Sequence, residues 1–235
     1  MKKRLKILAW MILVISSCGQ SNQLLSDKVP KDIVKVDSLK MKGSQLSVDT
    51  IPQHHIYKEY KYSDVSGKNI IIQNSFPKGG GQIEPGGLMG YYDWQGNHYG
   101  HIVFWTRIIN ETAKPLEINI NFPVNFGTIP NLVKPSFRFF LPPNTITLDQ
   151  LPLYNYGLTG IKNHIDDTFH HPPQSQKTIP PHGTYMFYIS MLVFDTEGSI
   201  RNGFILKEEE LFYNVSFTNF GSTLLPVGHI RFKKE

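Results

Sequence analysis

Two stretches of the chain are apolar or aromatic at almost every position. Residues 101–109 (His-Ile-Val-Phe-Trp-Thr-Arg-Ile-Ile) therefore read as a central strand covered on both faces, and 185–194 (Tyr-Met-Phe-Tyr-Ile-Ser-Met-Leu-Val-Phe) as another long apolar strand. Other stretches alternate. Leu116, Ile118, Ile120 and Phe122 interleave with Glu117, Asn119 and Asn121. Leu211, Tyr213, Val215 and Phe217 interleave with Phe212, Asn214, Ser216 and Thr218, and Ile230 and Phe232 with His229 and Arg231. Period two predicts strands with one buried and one wet face. Residues 57–63, 69–73, 137–141 and 203–206 complete a set of about eight to ten strands. The break over 110–115 predicts a hairpin joining 101–109 to 116–122, and Pro-Pro pairs at 142/143, 172/173 and 180/181 punctuate the rest. Leu148, Leu151 and Tyr154, three apart, predict a short helical turn between residues 147 and 160, and no other helix is expected. The expectation is an all-β fold: a single immunoglobulin-like antiparallel β-sandwich over residues 51–235.

The N-terminus breaks this pattern. Residues 1–6 are basic and residues 7–15 apolar, a stretch too short to span a bilayer permanently, so 1–17 read as a secretory signal peptide. Ile15-Ser16-Ser17-Cys18 resembles the lipobox of bacterial lipoproteins. The resemblance implies that small side chains at Ser16 and Ser17 let the backbone enter a peptidase that cuts before Cys18, and that the Cys18 thiol takes a diacylglyceryl thioether. Two or more acyl chains give lasting membrane hold, where a single chain is marginal. Residues 18–50 are polar and poor in aromatics, as a flexible linker would be, although Val34, Val36, Leu39 and Met41 can supply a short strand or dock on the body. Asp37-Ser38-Leu39 and Asp49-Thr50-Ile51 resemble O-glycosylation acceptors of Bacteroidota, but such short patterns are better read as ordinary linker.

Composition sharpens the class. Fifteen Phe, 11 Tyr and 3 Trp with 19 Gly and 16 Pro in 235 residues suit strands and turns and exclude a long helical bundle. The formal charge of +5 suggests nucleic acid only until the leader is set aside. Four of the 24 basic residues, Lys2, Lys3, Arg4 and Lys6, precede Cys18, so the remainder carries +1 and no basic stripe; no nucleic-acid partner is expected. One cysteine permits neither an internal disulfide nor a multi-thiolate metal site.

Nine histidines invite a metal reading. The set to test is Asp166, Asp167, His170 and His171, because imidazole and carboxylate together bind zinc or a similar ion. Adjacent histidines on a strand point to opposite faces, which counts against this reading, and His101 in the core stretch reads as a hydrogen-bonded structural histidine. Lys78 precedes Gly79, Gly80 and Gly81 rather than closing them, so the cluster reads as a mobile or tightly turned loop and not a phosphate loop. There is no Gly-x-Ser-x-Gly, and no Ser/His/Asp set stands out. Tyr91, Tyr92 and Trp94 flank the polar turn of Asp93, Gln95, Gly96 and Asn97. Rings near a loop tip stack on pyranose faces in sugar-binding modules; the bland alternative is that they pair across a hairpin and cap the core. Tyr154, Tyr156 and Phe169 mark a second aromatic loop region. Asn110-Glu111-Thr112 and Asn214-Val215-Ser216 match the N-glycosylation triplet, which means little in a bacterial lipoprotein.

Asn74-Ser75-Phe76-Pro77-Lys78-Gly79-Gly80-Gly81, Phe104-Trp105-Thr106-Arg107-Ile108-Ile109-Asn110-Glu111-Thr112 and residues 116–123 (Leu-Glu-Ile-Asn-Ile-Asn-Phe-Pro) together make the body resemble uncharacterised lipoproteins of Bacteroidota. The resemblance covers roughly residues 70–235 and implies a cellular setting rather than an activity. The expectation is a lipoprotein of the cell envelope, held on the outer membrane through Cys18 and facing either the periplasm or the surface. It uses no cofactor and acts as a binding module for an envelope protein or a glycan. The alternative is a metal-assisted or carboxylate-based hydrolase of the envelope.

Overall fold

In a computed structural model, the described residues are 34–36, 51–63, 67–83, 87, 89–125, 127–129, 136–194 and 198–233. The leader, the lipobox residues Ile15, Ser16, Ser17 and Cys18, and most of the linker lie outside them. Strands β1 (Val34–Val36), β2 (Ile56–Ser63), β3 (Asn69–Ser75), β4 (Lys78–Gly79), β5 (Tyr91–Tyr92), β6 (His98–Asn110) and β7 (Leu116–Asn121) come first. They are followed by β8 (Gly127–Thr128), β9 (Ser136–Phe140), helix α1 (Ile161–Thr168), β10 (Gln174–Ile179), β11 (Thr184–Phe194), β12 (Ile200–Lys207), β13 (Glu210–Phe217) and β14 (Gly221–Phe232).

The strands form two sheets, and every paired neighbour is antiparallel. The larger has the order β1-β2-β3-β6-β11-β9-β8, with β4 and β5 also pairing on β6; the smaller has the order β10-β7-β14-β13-β12. This is the expected all-β sandwich. Its inner core is aromatic: Phe122, Phe139, Phe204 and Tyr213 meet with ring centroids 4.8–6.0 Å apart. Such pairs add about 0.5–1.5 kcal/mol each beyond the area they bury.

The two apolar runs occupy β6 and β11, side by side in the middle of the larger sheet. Their inner residues, such as Phe104, Ile108, Ile189 and Met191, face the smaller sheet. Their outer residues, Val103, Trp105, Tyr188 and Leu192, lie under a third layer that contributes Ile51, Ile83, Ile146, Leu151, Tyr156, Leu158, Ile161 and Ile165. A strand with apolar side chains on both faces needs cover on both faces, and the cap supplies the second.

Three expectations need correction. Residues 101–109 and 116–122 do not form a hairpin: β6 belongs to the larger sheet, whereas β7 pairs with β10 and β14 in the smaller. The link between them arches across the sandwich, side by side with the return from β10 to β11. Asn110 stitches the two arches, its Nδ2 donating to the carbonyls of Lys114 (2.8 Å) and Pro180 (3.0 Å). Second, α1 is a helix that was not expected. It presents only Ile161 and Ile165 to the cap, one i,i+4 pair, bracketed by Gly160 and Pro172. Third, residues 174–179, inside the stretch 141–182 that reads as a long loop region, form β10, an edge strand whose exposed, polar sequence hides the alternation.

The free edge of β12 is closed by side chains of the opposite sheet. Asn74, buried on β3, accepts from Phe204 N at 2.9 Å and donates to Phe204 O at 3.1 Å, as a neighbouring strand would. Tyr62 Oη accepts from Leu206 N at 2.9 Å.

Candidate functional site

The β5–β6 hairpin brings the sequence-predicted aromatics together and then divides them. Tyr91 opposes Tyr99 and Tyr92 opposes His98. Successive strand residues face opposite ways, so Tyr91 turns inward and Tyr92 outward. Tyr91 is buried (3% exposed), stacks on Phe169 at 6.2 Å and donates from its hydroxyl to Asp166 Oδ1 at 2.8 Å. Burial, reinforced by that carboxylate, pushes its pKa well up. The core-capping reading thus holds for Tyr91. Tyr92 is 45% exposed and Trp94, at the tip, 77%.

The tip is ordered by Asp93. Its Oδ1 accepts from Gln95 N (2.9 Å) and Asn97 N (2.8 Å), and its Oδ2 from Asn97 Nδ2 (2.9 Å) and the Tyr99 hydroxyl (3.1 Å). Partial burial alone would raise the carboxyl, but the hydrogen bonds from Asn97, Tyr99 and Gln95 outweigh it and hold the pKa below the usual carboxylate value. Asp93 is therefore an ionised turn anchor and not a proton donor near neutral pH.

From the tip an exposed apolar rim runs across neighbouring loops. His98 Nε2 lies 3.0 Å from Met89 O with the Tyr92 ring 4.7 Å away, Met89 bridges Gln82, and the Tyr154 hydroxyl donates to Gln82 O at 2.7 Å. Met89, Tyr92, Trp94, Leu153 and Tyr154 are all exposed on this route. Met89 and Leu153 escaped the sequence reading because a lone apolar residue in a loop has no period. Of the second aromatic region only Tyr154 reaches the surface; Tyr156 is buried and Phe169 half-buried.

The other candidates have structural partners or stand apart. Asp166 accepts from Tyr91 and, at 2.6 Å, from Lys162 Nζ, so it ties α1 to the hairpin. Asp167 on α1 and His170 and His171 just after it are exposed. Among the described residues no three His, Cys, Asp or Glu side chains gather as metal ligands. His101 is buried with Nε2 2.9 Å from Ser190 Oγ, the structural role expected, and burial lowers its pKa to about 4. Lys78 Nζ donates to the carbonyls of Leu151 and Leu153, each at 2.7 Å, and lies 4.3 Å from the centre of the Tyr156 ring. Next to it Gly79 packs so tightly on β6 that a Cβ would lie 2.3 Å from His101 O. The glycine cluster thus pins the cap to the sheet. Asn110, in the first glycosylation triplet, is wholly buried.

Among the described residues no helix is long and apolar enough to cross a membrane. No protein-family model matches the chain, and no curated protein matches it.

Proposed function

We propose that the chain is an envelope lipoprotein, anchored through Cys18, whose β-sandwich binds glycan on the aromatic rim of the β5–β6 hairpin. The observation that carries this reading is the exposure of Trp94 and Tyr92 beside a turn that Asp93 holds with four hydrogen bonds. Leaving such rings in water forgoes their burial, and a rigid tip presents them to a sugar face with little ordering cost. Hydrolysis has less support, since Asp166 is committed to Tyr91 and Lys162 and Asp93 to its turn.

The test is retention of the full chain in detergent on immobilised cell-envelope polysaccharide. Trp94→Ala is expected to weaken retention about tenfold, the loss of one stacked ring, with the near-ultraviolet circular dichroism of the core unchanged. Equal retention of the variant would refute the rim as the site. Crosslinking from position 94 to one envelope protein, without glycan retention, would put a protein partner in its place. Separately, Cys18→Ala is expected to abolish acyl labelling and move the chain from the membrane to the soluble fraction; acyl label persisting on the variant would refute the anchor.

A further inference from the structure

On a different flank, a cleft of about 240 Å³ opens between the edge of the larger sheet and β12, lined by Tyr57, Lys58, Tyr60, Asn74, Gly203 and Asn214, with Asn202 behind. Its shape comes from a β-bulge. Ile56 pairs with Ser75 and Lys58 with Asn74, which leaves Tyr57 as the extra residue. The bulge sends Ile56 outward into the cap while Tyr62 and Tyr60 pack on the inner core, so Lys58, next along that inner side, reaches the rim of the sandwich. Across from it Gly203 keeps the floor open, because a Cβ there would lie 2.7 Å from Asn74 Cγ.

We propose that this cleft is a second binding site that takes a single carboxylated sugar ring. Its lining holds no carboxylate, and Lys58 Nζ, 5.7 Å from the centre of the Tyr60 ring, has no acidic partner among the described residues. Arg201, outside the lining, adds a second positive charge nearby, its guanidinium 5.8 Å from the lining Tyr57 ring and 5.6 Å from Phe76. The field therefore favours an anion. Asn214 offers a carboxamide donor and acceptor, as a polyhydroxylated ligand requires, whereas Asn202 behind it is engaged, its Nδ2 donating to Met191 Sδ at 3.2 Å and its Oδ1 accepting from Ser216 N at 3.3 Å. Asn74 uses Oδ1 for Thr106 Oγ1 and Phe204 N and one Nδ2 hydrogen for Phe204 O, so one buried donor remains to be used. Tyr57 and Tyr60 supply ring faces. The volume lies just below the roughly 300–1,000 Å³ of drug-sized pockets, which suits one ring and not a chain. The site does not depend on the hairpin: Asn74 pairs with Thr106, far along β6 from the His98 end that carries β5.

Titration of the full chain in detergent with glucuronate, glucose and acetate tests this. The expected result is saturable glucuronate binding, about tenfold tighter than either glucose or acetate and weakened about tenfold by Lys58→Gln. Asn214→Ala is expected to weaken it severalfold, and Trp94→Ala to leave it unchanged. Absence of saturable binding by the folded protein would overturn the proposal. So would acetate binding as tightly as glucuronate, indifference to Lys58→Gln, or a loss caused by Trp94→Ala, which would move the sugar to the hairpin.

Discussion

Replacing Asn110 by Leu is expected to cost the sandwich about 3–5 kcal/mol, more than most single substitutions. The side chain is wholly buried and serves two chain crossings at once. Nδ2 donates to Lys114 O and Pro180 O, and at 3.4 Å approaches Ile179 O; Oδ1 accepts from Thr112 N (3.0 Å) and Thr112 Oγ1 (2.6 Å). Leucine fills nearly the same space but answers none of these groups. Each orphaned polar group costs about 1–3 kcal/mol, and water entering at the partly buried ends of the arches relieves part of the total. For a domain of this size the loss corresponds to a fall in Tm of about 10 °C. Asn110→Asp discriminates between lost volume and lost donors: it keeps the acceptor for Thr112 but sets a carboxylate against carbonyl oxygens, so it is expected to cost at least as much as Leu. A Tm for Asn110→Leu within about 3 °C of the parent would mean that the arches hold without the stitch.

The same corner shows how far the sequence could be read. Residues 101–109 and 116–122 were both legible as strands, since their periods are unambiguous, but their partnership was not. A turn-rich break of six residues suits a hairpin and an inter-sheet arch equally well. The distinguishing signal lay in the difference between the runs: β6 is apolar on both faces and β7 on one, so they sit in sheets with different cover. The cap follows from the same logic, because doubly apolar β6 and β11 demand an outer layer, yet the residues that provide it, such as Ile83, Ile146 and Leu158, are isolated in loops without period. Helix α1 was invisible for that reason. At the candidate site the aromatic hairpin was legible from its composition and polar tip. Which ring faces outward follows from strand parity once the pairing Tyr91 with Tyr99 is known. The cleft was not legible at all. It depends on a bulge at Tyr57 and on Gly203 meeting Asn74 from a strand 129 positions away, and no local pattern encodes either.

The stability of the fold is expected to fall steadily from pH 6.5 to pH 4, with His101 as the largest single cause. Its ring is 1% exposed on the outer face of β6 and is neutral in the folded state, where burial keeps its pKa at about 4 instead of the ordinary 6.5. In the unfolded chain it takes up a proton at its ordinary value. Below pH 6.5 the unfolded state therefore binds more protons than the folded one, and protonation draws the equilibrium toward unfolding. The contribution is fully present above pH 6.5, falls by about 2 kcal/mol on going from pH 7 to pH 5, and reaches about 3 kcal/mol once the folded ring is protonated. His164, half-buried on α1 with its pKa also lowered by burial, acts in the same direction. His101→Gln keeps a neutral hydrogen-bonding group beside Ser190 and removes the titration. Urea unfolding at pH 7 and pH 5 is expected to show the drop in the parent and to have most of it missing in the variant; equal drops in both would assign the acid sensitivity elsewhere. The backbone raises the stakes at this position, because His101 O accepts from Gly80 N at 3.0 Å and touches Gly79, where the cap meets the sheet. A charge forced onto that ring loosens the segment Lys78 holds against Leu151 and Leu153, so acid is expected to expose the cap before the inner core, as earlier loss of amide protection at Gly80 than at Phe104.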